Sequence, residues 1–312
     1  MKNKKALEMN FALLFAIIAG AAILVLAIYG ATKLGEMKRY QTDTEIAKEI
    51  SVITDPMQAG FAEGSFGKIV FNQETEINNI CFSSGFGKNE VSVSTYSRFG
   101  GQLSSGGATS IYNKYIFSPE SQTAEQFYVF SKPFYLPYKI SDLIFLTSKN
   151  YCFLHSPEEI EDEISGLRMP NVKTANCSSD SVRICFNSFG CDVNIFGTCM
   201  ENCNSAYDEG YVEKGNERLY YSGSLLYGAI FSDPDVYECN VKRLLYRTAE
   251  IAKLYEQKAD LMNARSCSTN LKADLILFRA LAESSSSKEL AQISQIAKQI
   301  EIKNRAELCR MW

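Results

Sequence analysis

A chain of 312 residues with 46% hydrophobic and 22% charged residues has enough apolar side chains for a folded core, which excludes disorder over most of its length. The formal net charge is -4, but residues 1–39 hold six Lys/Arg against two Asp/Glu, so the remainder carries -8. That acidic remainder excludes nucleic acid as a partner, because phosphate recognition needs clustered basic charge.

The first element is Phe11 to Ala31, 21 residues without a charge. At about 1.5 Å per residue this run spans about 30 Å, the thickness of bilayer hydrocarbon. It reads as a transmembrane helix over 11–31, with 1–10 as a short cytoplasmic tail. A cleaved secretory signal is the rival, but its apolar region runs to only about 7–15 residues before a small-x-small site. Tyr29 stands where a cut after Ala31 would need a small residue. Lys2, Lys4 and Lys5 precede the span and Lys33, Lys38 and Arg39 follow it, so flanking charge leaves the orientation balanced. Ala12, Ala16 and Gly20 share one face at four-residue spacing. Small residues so placed let another helix approach closely, for self-association or for packing on a membrane partner, although an Ala-rich span also produces them by chance.

Residues 32–56 predict a membrane-proximal helix, in which the anchor helix continues outward or restarts. Thr42-x-x-Glu45 has the form of a capping box, and Ile46, Ile50 and Ile53 follow at helical spacing. Pro56 biases Asp55 out of the helical region, which sets the expected end there.

Residues 57–232 predict a strand-rich ectodomain. Lys68–Phe71, Glu90–Ser94, Ile111–Phe117 and Phe127–Phe130 gather β-formers. Gly100, Gly101, Gly106 and Gly107 read as a flexible connection. Pro157 opens a short acidic helix with Ile160, Ile164 and Leu167 as its buried stripe and its acids as a solvated face. Residues 177–215 are expected to be irregular.

The ten cysteines are Cys81, Cys152, Cys177, Cys185, Cys191, Cys199, Cys203, Cys239, Cys267 and Cys309. An even number, all after the span, is the pattern of disulfides in an oxidising compartment. This puts the C-terminal part on the extracytoplasmic side. Zinc is the alternative for the cluster from Cys177 to Cys203, but only Cys199 and Cys203 have ligand-pair spacing. Asn176-Cys177-Ser178 reads as a glycosylation sequon.

Residues 233–312 predict three helices with short connections, hence antiparallel neighbours: Pro234 to about Asn263, Leu271 to Glu283, and Lys288 to Arg310. In that ordering the end of the last helix meets the loop after the first, so Cys267 should pair with Cys309. Cys239, at the opposite end, should pair with the strand-rich part. The last helix, about 34 Å long against about 20 Å for the middle one, would overshoot.

No catalytic residue, cofactor or metal follows from the sequence. His155 is the only histidine and sits at a strand-to-helix junction, where it reads as a surface residue. HExxH, GxSxG and Walker sequences are absent. Paired carboxylates remain available to an ectoenzyme.

Two resemblances stand beside this reading. Lys5-Ala6 before an apolar helix resembles the processing site of archaeal type IV pilins, which implies a mature start at Leu7 and a helix packed into a filament. Glu8 and Asn10 depart from that pattern. Ser131-Lys132-Pro133-Phe134, Tyr151-Cys152-Phe153, Ile230-Phe231-Ser232-Asp233-Pro234 and Tyr237-Glu238-Cys239-Asn240 resemble an uncharacterised family of single-pass envelope proteins from small-genome archaea. The expectation is an α+β, membrane-anchored structural or binding component of the cell envelope. An accessory subunit of a membrane complex and an ectoenzyme are the alternatives.

Overall fold

The computed structural model describes residues 11–58, 66–96 and 103–312, and the fold is mixed α+β. It begins with α1, Phe11–Gln58, one helix of 48 residues. The anchor helix therefore continues outward and does not restart at Thr42. Thr42 and Thr44 lie inside the helix and donate to the carbonyls of Lys38 and Tyr40, at 3.0 and 2.6 Å. A threonine bonded back to the fourth residue before it bends a helix without ending it. The helix also runs past the expected end at Asp55, through Pro56 to Gln58.

Seven strands follow in the first sheet: β1 (Phe66–Phe82), β2 (Lys88–Tyr96), β3 (Leu103–Ser105), β4 (Thr109–Tyr112), β5 (Tyr115–Phe117), β6 (Ser121–Tyr135) and β7 (Lys139–Thr147). Their order is β3-β2-β1-β6-β7-β5, with β4 also on β2. All pairs are antiparallel except β5 with β7. The stretch Ile111–Phe117 is two strands rather than one. Asn113, between them, has a φ of 57°, a conformation asparagine tolerates better than most residues.

The second sheet has β8 (Tyr151–Leu154), β9 (Val172–Lys173), β10 (Val182–Phe186), β11 (Val193–Gly197), β12 (Glu209–Lys214) and β13 (Glu217–Ser222), in the order β13-β12-β11-β10-β8-β9. Residues 177–215 are therefore not irregular throughout. Each strand there has at most six residues, too few for the alternation to stand out. The other face is legible once seen: Ile184, Val193, Ile195 and Val212 are buried.

The helix α2 (Glu158–Leu167) follows Pro157 and buries Ile160, Ile164 and Leu167, as the spacing predicts. A short buried helix, α3 (Leu225–Phe231), was not expected; it is apolar all round and has no polar face to mark it. Then come α4 (Pro234–Ala264), α5 (Lys272–Ser284) and α6 (Leu290–Ala306). Ion pairs Lys272–Asp260 and Arg279–Glu256 set α5 antiparallel to α4, and Lys303–Asp274 sets α6 antiparallel to α5. The three do not close on themselves as a separate unit: α6 lies on α5 and on β13. The last helix stops at Ala306 rather than Arg310, and the expected overshoot shrinks to about 6 Å.

The first sheet is covered on both faces. Tyr115, Phe117, Phe130, Leu143 and Phe145 point into one large core with the second sheet and helices α2 to α6. Ile116, Phe127, Val129, Ile144 and Leu146 point the other way, into a smaller core closed by α1. This alternation along β5, β6 and β7 is the two-residue period of a strand.

Candidate functional site

The two halves of α1 have opposite surroundings. Phe15, Ile23, Leu24, Leu26 and Leu34 are each at least 60% exposed. This is the one helix, among the described residues, long and apolar enough to cross a membrane. Ala16 and Gly20 lie on this open stretch, and a Cβ added at Gly20 would meet nothing within 4 Å. The side chain of Ala12, and Lys5 and Ala6 altogether, fall outside the described residues.

The second half is seated on the first sheet. Ala47 and Ile50 are buried against Val91, Val93 and Ile111. Asp43 is also buried, and its carboxylate accepts from the Thr95 hydroxyl at 3.1 and 3.3 Å. The Gly107 amide donates to Thr44 Oγ1 at 2.8 Å. A Cβ on Gly106 would lie 2.5 Å from Asp43 Cβ, so only glycine lets the helix come this close. Gly106 and Gly107 are thus contact residues rather than a flexible connection; Gly100 and Gly101 lie outside the described residues. A groove of about 590 Å³ runs beside the seat, lined by Lys38, Thr42, Glu49, Ile69 and Phe71. The β1–β6 register shift between Val70 and Thr75 lies along it.

On the opposite face of the sheet α4 is fastened by Arg243, which is fully buried. Its guanidinium donates to Asn89 Oδ1, to Asn240 Oδ1 at 2.8 Å, to the Lys114 carbonyl at 2.9 Å and to the Phe86 carbonyl at 3.0 Å. It also stacks over Tyr115, 4.8 Å from the ring centre. Burial pushes its pKa down to about 10. Asn79 and Asn240 extend the network to the Ile116 carbonyl.

All ten cysteines are paired. Cys267 joins Cys309 with Cα atoms 5.7 Å apart, where the ordering of the helices puts them. Cys239, at the start of α4, joins Cys81 on β1 with Cα atoms 6.0 Å apart. The others are Cys152–Cys177, Cys185–Cys191 and Cys199–Cys203. Cys199, Cys203 and Asp208 have ligand atoms within 4.8 Å of one another, but the two sulfurs are bonded to each other and are not thiolates.

His155 is exposed at the β8–α2 junction, with a φ of 53°. Asn176 is exposed beside the Cys152–Cys177 bridge. The acids of α2 are mostly solvated, as expected, with one exception: Glu163 pairs with Lys132 and accepts from the Tyr227 hydroxyl. Sequence reasoning missed Lys214, whose amine donates to the Ser232 carbonyl at 2.7 Å. Burial pushes it down to about 7, with Asp233 opposing the shift. A single lysine in a hairpin strand carries no signal of that kind.

Comparison with known proteins returned nothing: no family model, no curated protein and no solved structure matches the chain. What is shown is a class. The chain is an α+β protein with five disulfides and one N-terminal helix apolar enough to span a membrane.

Proposed function

We propose that this chain is a membrane-anchored, extracytoplasmic structural component of the cell envelope, in which α1 is both anchor and stalk. The observation that carries the reading is the unbroken helix Phe11–Gln58, bare and apolar in its first half and seated on the head in its second. An apolar surface of that size is not stable in water, so lipid or other subunits must cover it. The disulfides fit an oxidising compartment, which supports a head outside the cytoplasm. The pilin-like start at Lys5-Ala6 and the small residues Ala12, Ala16 and Gly20 support association between copies through the helix.

N-terminal sequencing of protein from native membranes tests this, together with recovery of filaments from the same cells. A start at Leu7 and presence in filaments is the expected result. An intact start at Met1 or Lys2, with the protein recovered from mild detergent as one part of a larger complex, replaces this reading with that of an accessory subunit. Topology has its own check. A C-terminal tag probed with a membrane-impermeant reagent should react on intact cells, and reaction only after lysis removes the extracytoplasmic assignment.

A further inference from the structure

We propose that Cys199–Cys203 is a thiol–disulfide exchange site that takes electrons from an external dithiol, while the other four bridges hold the fold. The bridge closes the shortest loop of the five, with a sequence separation of 4 against 6, 25, 42 and 158. Chain-entropy stabilisation grows with loop length, so this bridge is the least protected on that ground. It is also reachable. Met200, inside the loop, is 94% exposed, and Cys203 is only half-buried, whereas Cys199 is buried.

The surroundings distinguish the two sulfurs. The ammonium of Lys298 lies 3.4 Å from Cys199 Sγ and 4.0 Å from Cys203 Sγ. Lys298 is held there by the buried carboxylate of Glu209, at 2.6 Å. Glu209 is itself fixed by the Ser294 hydroxyl at 2.8 Å and the Gln295 amide at 3.3 Å. A cation beside a sulfur favours its thiolate and makes it the better leaving group. The Asp208 carboxylate opposes this, but it is engaged by the amides of Asn204 at 2.6 Å and Ser205 at 3.3 Å.

The step then runs in one direction. A thiolate of the external dithiol attacks Cys203 Sγ, the S–S bond breaks, and Cys199 leaves as a thiolate beside Lys298. The second thiol of the reagent gives up its proton and attacks its own partner sulfur in the mixed disulfide. Cys203 leaves, and both cysteines end as thiols. The protein bridge has gained two electrons and two protons, and the dithiol has become a disulfide.

The test uses the full chain in mild detergent, graded dithiothreitol, trapping with N-ethylmaleimide and peptide mapping. Cys199 and Cys203 should be labelled about tenfold faster than Cys185 and Cys191, the bridge of nearest loop length. With glutathione as the single-thiol probe, the adduct should form on Cys203. Lys298→Gln should slow the reduction by about tenfold and Lys298→Arg should restore it. An unreduced Cys267–Cys309 bridge reports that each variant is folded. Reduction in step with Cys185–Cys191, or an adduct shared evenly between Cys199 and Cys203, overturns the proposal. The wild-type order and the adduct position decide it even where a Lys298 variant does not fold.

Discussion

Arg243 is a full positive charge in the interior with no carboxylate among the partners that hold it. Oxygens of neutral amides and backbone carbonyls take its place, and the five-donor fork of arginine fits four such acceptors at once. Arg243→Met should therefore leave buried acceptors bare and cost about 3 kcal/mol or more, read as a lower denaturant midpoint. Arg243→Lys should recover less than half of that, because an ammonium cannot reach all four. Lys214 allows a prediction in pH. Its folded value of about 7 lies below the ordinary 10.5, so between those values the unfolded chain binds the proton more tightly. Stability should rise as pH climbs through that window and gain nothing more above it. Lys214→Met should flatten the rise, and a parallel slope in wild type and variant would refute the assignment. Neither residue was legible in the sequence. An arginine in an amphipathic helix and a lysine in a hairpin both read as solvated until the facing element is known.

At the scale of elements, the contact of α1 with the first sheet depends on Gly106. Gly106→Val should push Asp43 away from Thr95 and cost about 1–3 kcal/mol by overpacking. Limited proteolysis should then cut near Asp43, and unchanged protection would show that the seat is elsewhere. What could be read in advance sorts by period. Long amphipathic helices repeat every 3.6 residues, so α2, α4, α5 and α6 were placed within a few residues. The short strands β10 and β11 and the wholly buried α3 have no such contrast and were missed. The glycine pair was misread for another reason: glycine marks both a loose chain and a close approach, and only the partner element tells them apart.

For the molecule as a whole, one large core joins the second sheet to the C-terminal helices, and the ends are fastened across it. Cys267–Cys309 encloses a loop of about 43 residues and should contribute about 2–4 kcal/mol. The only tryptophan, Trp312, packs on Tyr138 and Tyr255 with ring centres 5.3 and 5.0 Å away. In Cys309→Ser its fluorescence should move to the red before the rest unfolds. A single coincident transition would mean the chain end is held without the bridge. This pairing was legible because short connections force antiparallel helices, and geometry then brings two ends together. The three-helix unit was borne out in part: α4, α5 and α6 follow in order, but α6 also packs on β13, because nothing in the amphipathic pattern says whether a helix faces its neighbours or a sheet. The continuity of α1 has a mechanical side. From Ala31 to Asp43 the helix rises about 18 Å without a joint. The head is clamped at the far end of a lever whose other arm is the apolar span. A tilt of about 20° in the bilayer, ordinary for a single span, would swing the seat sideways by about 6 Å and turn the whole head through the same angle. A neighbour that sets the tilt of this helix thereby aims every surface of the domain above it.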